Sequence, residues 1–218
     1  MNKNQQILAK IGGGSLALLL SLGLGQQASA VTLVENLSEE TVGVDSLLEN
    51  SWQGGSFTTG SGSYNLNSVT LLLQENTLGN LFVRLYTDNS GVPGTLITSF
   101  NVPAIVADLN ENTFNLNTPQ ALTANTTYWV VSGISSGAGN YAWGYTDSFN
   151  EIGLPGWTIG DGFVLSGDQG VNWEVVDLPS QFGVNGTENA TNIPEPGSVV
   201  ALLGLGGLGL ASSLKKRK

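Results

Sequence analysis

Residues 64–74 read YNLNSVTLLLQ, and they carry the clearest strand pattern in the chain. Their side chains divide between two faces, with Leu66, Val69, Leu71 and Leu73 on one and Ser68, Thr70, Leu72 and Gln74 on the other. Such alternation predicts a half-buried β-strand, because successive side chains of a strand point to opposite faces. Residues 81–87 (LFVRLYT) alternate in the same way after a turn at residues 75–80. We therefore expect the two strands to pair as neighbours.

The surrounding residues, 31–193, have a β-type composition throughout. They are rich in Thr, Val, Leu, Asn, Ser and Gly, and turn-forming clusters separate the apolar runs. Residues 38–50 are acidic and loosely amphipathic, which fits a loop or a short helix. The sequence predicts one all-β domain, an antiparallel β-sandwich of jelly-roll type. Its strands are expected at residues 31–35, 52–59, 64–74, 81–87, 95–100, 112–116, 127–133, 141–146, 163–166 and 181–184, with Pro103, Pro119, Pro155 and Pro179 between them.

Residues 1–30 have the three parts of a secretory signal peptide. Lys3 and Lys10 supply a basic region, residues 11–25 are apolar, and Ala28-Ser29-Ala30 is a small-x-small cleavage site. We expect a helical signal peptide that Sec-type machinery exports. Signal peptidase then recognises Ala28 and Ala30 and cleaves after Ala30.

Residues 194–218 predict a membrane segment. Pro194-Glu195-Pro196 precedes an uncharged stretch, 197–214, and the basic cluster KKRK follows at 215–218. An eighteen-residue helix spans about 27 Å, close to the hydrocarbon thickness of a bilayer. The basic cluster should remain on the cytoplasmic side. We expect a single transmembrane helix, joined to the sandwich by a linker at residues 185–193.

This tail resembles the PEP-CTERM sorting tail of bacterial envelope proteins, since the Pro-Glu-Pro, the Gly/Leu-rich span and the basic cluster occur in that order. The resemblance implies that an exosortase-type membrane enzyme cleaves near Pro194, Glu195 and Pro196. These residues would then be a substrate site and not a catalytic one. It also implies a protein of the cell envelope, outer surface or extracellular matrix, held transiently in the inner membrane by its C-terminal helix.

The segment between the two processing regions is strongly acidic. Of the 17 acidic residues only Glu195 lies outside residues 31–193, and of the seven basic residues only Arg84 lies inside, which gives a net charge of −15 (1 − 16). Such a surface repels nucleic acid. The chain has no Cys and no His, so Ser-His-Asp or Cys-His catalysis and ordinary His/Cys zinc sites are excluded.

Residues 31–184 carry a resemblance of their own. The residues that carry it are Trp52-Gln53, Ser56-Phe57-Thr58-Thr59-Gly60, Tyr64-x-Leu66-x-Ser68-Val69-Thr70-Leu71, Arg84-Leu85-Tyr86-x-Asp88, Pro93-Gly94-Thr95-Leu96 and Leu122-Thr123-x-x-Thr126-Thr127-Tyr128-Trp129. In this order they look like the choice-of-anchor R domain, an extracellular bacterial module found with PEP-CTERM and other surface-sorting tails. The resemblance implies an architecture and a cellular context, and it supplies no catalytic residues.

Four aromatic residues are candidates for contact with an extracellular polysaccharide. Trp143 and Tyr145 share one face of an expected strand, and Trp157 and Trp173 follow in loop-like surroundings. Exposed rings of this kind can stack on sugar rings. The alternative is that Trp143 and Tyr145, with Tyr141, fill the core. The sequence leaves both interpretations open.

Two acidic turns offer hard oxygen ligands for calcium. Asp88 and Asn89 lie in a Gly-bearing turn, and Asp108 and Asn110 are close to each other in sequence. Neither turn follows the EF-hand order. Because Asp and Asn also cap turns without a metal, we expect no cofactor and keep calcium as the alternative.

Without His or Cys, the catalytic arrangement that remains is a carboxylate pair of the glycosidase kind, and the acidic residues single out no such pair. We therefore expect a non-enzymatic, exported envelope or extracellular-matrix protein with a structural or adhesive role. A carbohydrate- or calcium-binding surface module is the alternative. A carboxylate-dependent glycoside hydrolase is a further one.

Overall fold

The computed structural model describes residues 29–189, and every regular element in that range is a β-strand. Its strands are β1 (Val31–Glu35), β2 (Gly43–Leu47), β3 (Trp52–Thr58), β4 (Tyr64–Thr77), β5 (Leu81–Asp88), β6 (Pro93–Ser99), β7 (Asn110–Leu122), β8 (Thr127–Ile134), β9 (Asn140–Tyr145), β10 (Ile152–Gly153), β11 (Thr158–Ser166), β12 (Glu174–Val176) and β13 (Phe182–Glu188). The prediction of an all-β, antiparallel domain is confirmed.

The expected processing regions fall almost entirely outside this range. The segment predicted to be a transmembrane helix, residues 194–218, lies beyond the described residues, and so does the predicted signal peptide apart from Ser29 and Ala30. Between residues 29 and 189, no helix has the length and apolarity that a membrane span requires.

The strands form two sheets that pack as a sandwich. The seven-stranded sheet has the order β10-β1-β13-β4-β9-β2, with β7 also paired to β4. The six-stranded sheet has the order β12-β11-β3-β8-β5-β6. Fully buried side chains from both sheets, such as Val69 and Leu71 from the first and Val83 and Val130 from the second, meet in one core. The sandwich architecture is thus confirmed, and its jelly-roll type stays a prediction.

β4 organises the seven-stranded sheet, because it pairs with β7, β13 and β9. Relative to β13, Asn67 is an extra residue in β4. At the same point, residues 116–119 of β7 bulge opposite Asn67. Such a bulge interrupts the strict alternation of side chains. Leu66 and Val69, three positions apart, are therefore both fully buried. Leu71 and Leu73 continue the same buried row, so the predicted apolar face is confirmed.

The predicted pairing of residues 64–74 with residues 81–87 is wrong. β4 continues to Thr77, and β5 begins at Leu81 in the other sheet, where it pairs with β6 and β8. Each strand turns its apolar face toward the shared core from its own sheet. The short connection at residues 78–80 therefore crosses between the layers. Gly79 permits this crossing, since an added Cβ would lie 2.6 Å from the Cα of Gly139.

Three further expectations about strand limits are wrong. The stretch expected to be a loop or a short helix contains β2, an extended segment that pairs with β9. Pro119 lies inside β7, in the irregular section opposite Asn67, where the ladder needs no N–H. β13 runs to Glu188, so residues 185–188 belong to a strand between β1 and β4 and not to a linker. Pairing on both sides holds this segment despite its lack of apolar periodicity.

Both ends of the described chain lie at one end of the sandwich. Val31 pairs with Gly186, and the backbone N–H of Asn189 donates to the Ser63 carbonyl at 2.9 Å. We call this end, with the loop of residues 60–63, the terminal pole. β3 ends at Thr58 beside this pole, and its first residue, Trp52, lies about 20 Å away at 3.3 Å per residue.

Candidate functional site

Two of the four aromatic candidates for sugar contact lie in the core. Trp143 is fully buried, and its indole N–H donates to the Gln181 carbonyl oxygen at 2.8 Å. Trp157 is only 4% exposed, and its ring stacks on Phe57 with centroids 6.2 Å apart. The prediction that these two rings contact a polysaccharide is wrong, because both are buried in the core between the two sheets. For Trp143 the core-filling alternative is correct.

The other two candidates, Tyr145 and Trp173, are half-buried. Tyr145 packs against Phe163 with ring centroids 5.6 Å apart, and its hydroxyl end covers Gly43, where a Cβ would collide with it. Trp173 packs on the outer face of the six-stranded sheet. It is the candidate that stands beside a pocket with polar groups.

The outer face of the six-stranded sheet, turned away from the core, carries an apolar cluster of its own. Trp52 meets the edge of Phe82 with ring centroids 4.7 Å apart, and it covers Gly133, where a Cβ would collide with the indole. Arg84 lies over the same Phe82 ring, 4.1 Å from its centroid. We call the set the outer aromatic cluster; its buried members are Phe82, Trp129, Val131 and Val164, and its half-buried members are Trp52, Tyr86, Val92 and Trp173.

A hydrogen-bonded loop at residues 166–173 lies beside this cluster. The Ser166 hydroxyl donates to Asp168 Oδ1 at 2.8 Å and accepts from the Gly170 N–H at 2.7 Å. Asn172 donates to Asp168 twice, from its backbone N–H to Oδ1 at 2.8 Å and from its side-chain amide to Oδ2 at 2.6 Å. The bonds from Asn172, and then the one from Ser166, hold the pKa of the Asp168 carboxyl below its usual range.

Beside this loop lies a shallow pocket of about 400 Å³. Gly170, at φ 85°, brings the loop backbone onto the rings beneath it, since a Cβ there would lie 2.9 Å from Trp52 and 3.4 Å from Trp173. The loop thereby fixes one side of the Trp173 ring. We call this depression the Trp173 pocket; it is lined by Leu165, Gly167, Asp168, Asn172, Trp173 and Glu174.

The sequence pattern singles out Trp173 but not its partners Ser166, Asn172 and Glu174. The signal that is present is SGDQG at residues 166–170. A Ser and an Asp close to glycines are typical of a turn held by its own side chains. The sequence does not show that this turn supports an aromatic ring, because the sheet beneath the turn is formed by distant parts of the chain.

The first calcium candidate, the turn with Asp88 and Asn89, makes hydrogen bonds within the fold. Asp88 Oδ1 accepts from the Trp129 indole N–H at 2.8 Å and from the Gly91 N–H at 3.1 Å. The N–H of Asn89 donates to the Val92 carbonyl at 2.8 Å and closes the tight turn between β5 and β6. These bonds give Asp88 and Asn89 a structural role as turn residues.

The second candidate is an exposed turn. The Asn110 side-chain amide donates to the backbone carbonyl of Asp108 at 3.1 Å. In the described part of the chain, no three Asp or Glu side chains come together in a way that could hold a metal ion. Calcium at either turn stays an untested prediction.

A second pocket, of about 390 Å³, opens at the end of the sandwich opposite the terminal pole. The Tyr141 hydroxyl accepts from the Gly79 N–H at 3.2 Å and donates to Glu75 Oε2 at 3.1 Å. Burial raises the pKa of Tyr141, and the Glu75 carboxylate adds to that rise. Leu78, 74% exposed, and Val102, 41% exposed, form an aliphatic rim. The phenol is thus part of the fold, held by its backbone and carboxylate partners.

The predicted sorting residues lie outside the described residues, and the comparison with known proteins bears on them directly. Residues 192–218 match the PEP-CTERM protein-sorting motif. The matched region contains Pro194, Glu195 and Pro196 as well as the basic cluster. The motif marks an exported, envelope-associated protein that is sorted by an exosortase-type enzyme. The match is confined to the tail and does not reach the sandwich.

No curated protein matches the chain. A solved structure of infectious bursal disease virus, Gx strain, matches with 12% sequence identity and a TM-score of 0.24, over 83% of this chain and 49% of that chain. At such a TM-score the likeness carries no argument about fold or function.

Proposed function

We propose that this protein is a non-enzymatic component of the cell envelope or extracellular matrix with a structural or adhesive role. The match of residues 192–218 to the sorting motif is the observation that carries the proposal. A signal peptide at residues 1–30 directs Sec-type export, and signal peptidase removes it. The C-terminal helix then holds the chain in the inner membrane until the exosortase-type enzyme cleaves near Pro194, Glu195 and Pro196.

The placement of both chain ends at the terminal pole supports this order of events. Asn189 is five residues from Pro194, and an extended chain of that length spans at most about 18 Å. The processing enzyme therefore acts close to the terminal pole. The Trp173 pocket lies beside Trp52, at the end of β3 that is remote from the terminal pole and so from the point where the tail leaves the sandwich.

Two of the loop carboxylates, Asp168 and Asp88, lack the environment that a glycosidase acid needs. A glycosidase needs one carboxyl group with a raised pKa to act as the acid. The pKa of Asp168 is instead lowered by its hydrogen bonds, and Asp88 is bound by Trp129 and Gly91.

The resemblance of residues 31–184 to the choice-of-anchor R domain belongs to the same proposal. A two-sheet sandwich is compatible with such a surface module.

The experiment is cell fractionation in a host that carries an exosortase-type enzyme. The wild-type protein is expected in a shortened form outside the inner membrane. A variant with Pro194, Glu195 and Pro196 all replaced by Ala should remain full-length in that membrane. Thr191→Ala is the matched control and should be processed normally. Equal processing of the triple variant and the wild type would overturn the sorting proposal.

The absence of catalysis is tested separately with a panel of glycosides. We expect no turnover by the purified protein. Hydrolysis that one Asp→Asn or Glu→Gln substitution abolishes would contradict this part of the proposal and favour the glycosidase alternative.

A further inference from the structure

We propose that the Trp173 pocket binds a neutral polysaccharide, with the Trp173 ring as the surface on which a sugar ring stacks. The inference rests on the proposed function, because it names a partner for an exported surface module. The proposed site lies on the outer face of the six-stranded sheet, and the proposed ligand is an uncharged polymer.

The Trp173 ring is held in place by its neighbours. The ring is half-buried against the outer aromatic cluster, and the backbone at Gly170 packs beside it. The hydrogen bonds of Asp168 with Ser166 and Asn172 hold that loop in place. A rigid aromatic side chain loses little conformational entropy on binding, and Trp is enriched among residues that dominate binding energy. The pocket therefore presents a preorganised flat surface.

Polar groups at the rim of the pocket can form hydrogen bonds with sugar hydroxyls. Asp168 Oδ2 accepts one bond from Asn172, which leaves an acceptor position on the carboxylate and one N–H on the amide. The Glu174 side chain is exposed and offers two more acceptor oxygens. Each sugar hydroxyl can both donate and accept a hydrogen bond. A flat apolar surface beside a few convergent polar groups is the usual form of a small-ligand site.

Charge decides which polysaccharide fits. Asp168 and Glu174 lie at the pocket, and residues 31–193 carry a net charge of −15 (1 − 16). A uronic-acid polymer would be repelled, and so would a second copy of this domain. The lowered pKa of Asp168 keeps its carboxylate ionised in mildly acidic surroundings. A neutral hexose polymer meets no such repulsion, and its hydroxyl groups can donate hydrogen bonds to both carboxylates.

Affinity electrophoresis of the full chain in mild detergent tests the inference. The probes are laminarin, dextran and hydroxyethyl cellulose as neutral glucans, and alginate as the anionic polymer. We expect at least one neutral glucan to retard the protein and alginate to have no effect. Trp173→Ala should weaken binding about tenfold or more. Phe149→Ala, which removes an aromatic ring that is 58% exposed on another loop, should leave binding unchanged.

A second variant keeps the test valid if Trp173→Ala disturbs folding. Glu174→Ala removes an exposed side chain, so its melting temperature should equal that of the wild type while its binding weakens about threefold. No retardation by any neutral glucan would overturn the inference. So would equal retardation of Trp173→Ala and Phe149→Ala, or alginate binding as strong as glucan binding. None of these outcomes affects tail processing, so failure here is distinguishable from failure of the sorting proposal.

Discussion

Replacing Trp143 by alanine tests whether this ring is a structural element of the sandwich or a binding element. The side chain is fully buried, lies edge-on to Phe182 with ring centroids 6.1 Å apart, and donates to the Gln181 carbonyl at 2.8 Å. Truncating a buried Trp to Ala costs about 3–5 kcal/mol through lost burial and the cavity left behind. The loss of the hydrogen bond adds up to about 1 kcal/mol. We expect the free energy of unfolding to fall by about 3–6 kcal/mol.

The assay is urea denaturation followed by circular dichroism, together with thermal melting. Each kcal/mol corresponds to about 2–4 °C in a domain of this size, so the melting temperature should fall by about 6–24 °C. Trp143→Phe keeps an aromatic ring but leaves the Gln181 carbonyl without its donor, and it should cost about 1–3 kcal/mol. An unchanged m-value would show that the compactness of the unfolded state has not changed.

Trp173→Ala is the matched comparison, since it removes the same side chain from a half-buried surface position. Its loss of stability should be less than half that of Trp143→Ala, because fewer contacts are removed. A loss below about 1 kcal/mol for Trp143→Ala, or a larger loss for Trp173→Ala, would refute the assignment of one ring to the core and the other to the surface.

Three further variants test the loops. Asp168→Asn should lower the melting temperature at neutral pH. The difference from wild type should shrink as the pH falls below 3.8, because the carboxyl has a lowered pKa in the folded chain and its stabilising charge is lost on protonation. Gly170→Val should cost about 1–3 kcal/mol in urea denaturation, because its φ of 85° strains a branched residue and its Cβ meets Trp52. Asp88→Ala should cost about 1.5–3 kcal/mol in the same assay, since it frees the Trp129 indole; a cost within about 0.5 kcal/mol would contradict this role.

The positions of the strands were predicted more accurately than the way in which the strands pair. The alternation in residues 64–74 is a local property of the chain, and the break between Leu66 and Val69 corresponds to the bulge at Asn67 in the pairing with β13. Strand pairing depends on contacts between distant residues. β4 pairs with residues 110–122 and 182–188, which no local pattern indicates. Proximity in sequence favoured β5 as its neighbour, and the sandwich instead placed β5 in the opposite sheet.

The sequence identified the aromatic residues of interest but not which of them are buried, because burial also depends on contacts between distant residues. Periodicity placed Trp143 and Tyr145 on one face of a strand, but it cannot tell which face meets the second sheet. Trp157 follows residues with loop-like composition, yet stacking on Phe57 buries it. Trp173 is the one of these three tryptophans that lies partly exposed beside a pocket, and the support of its loop by Ser166 and Asn172 appears only once the loop is folded.

The intact mass of the mature protein tests the account most directly. The protein is recovered from outside the inner membrane of a host with an exosortase-type enzyme, and its mass defines both chain ends. We predict a chain that begins at Val31 and ends near Pro194 to Pro196, without the apolar segment and the basic cluster. A mature protein that still carries residues 197–218, with or without the enzyme, would contradict the claim that the tail is a processed sorting signal.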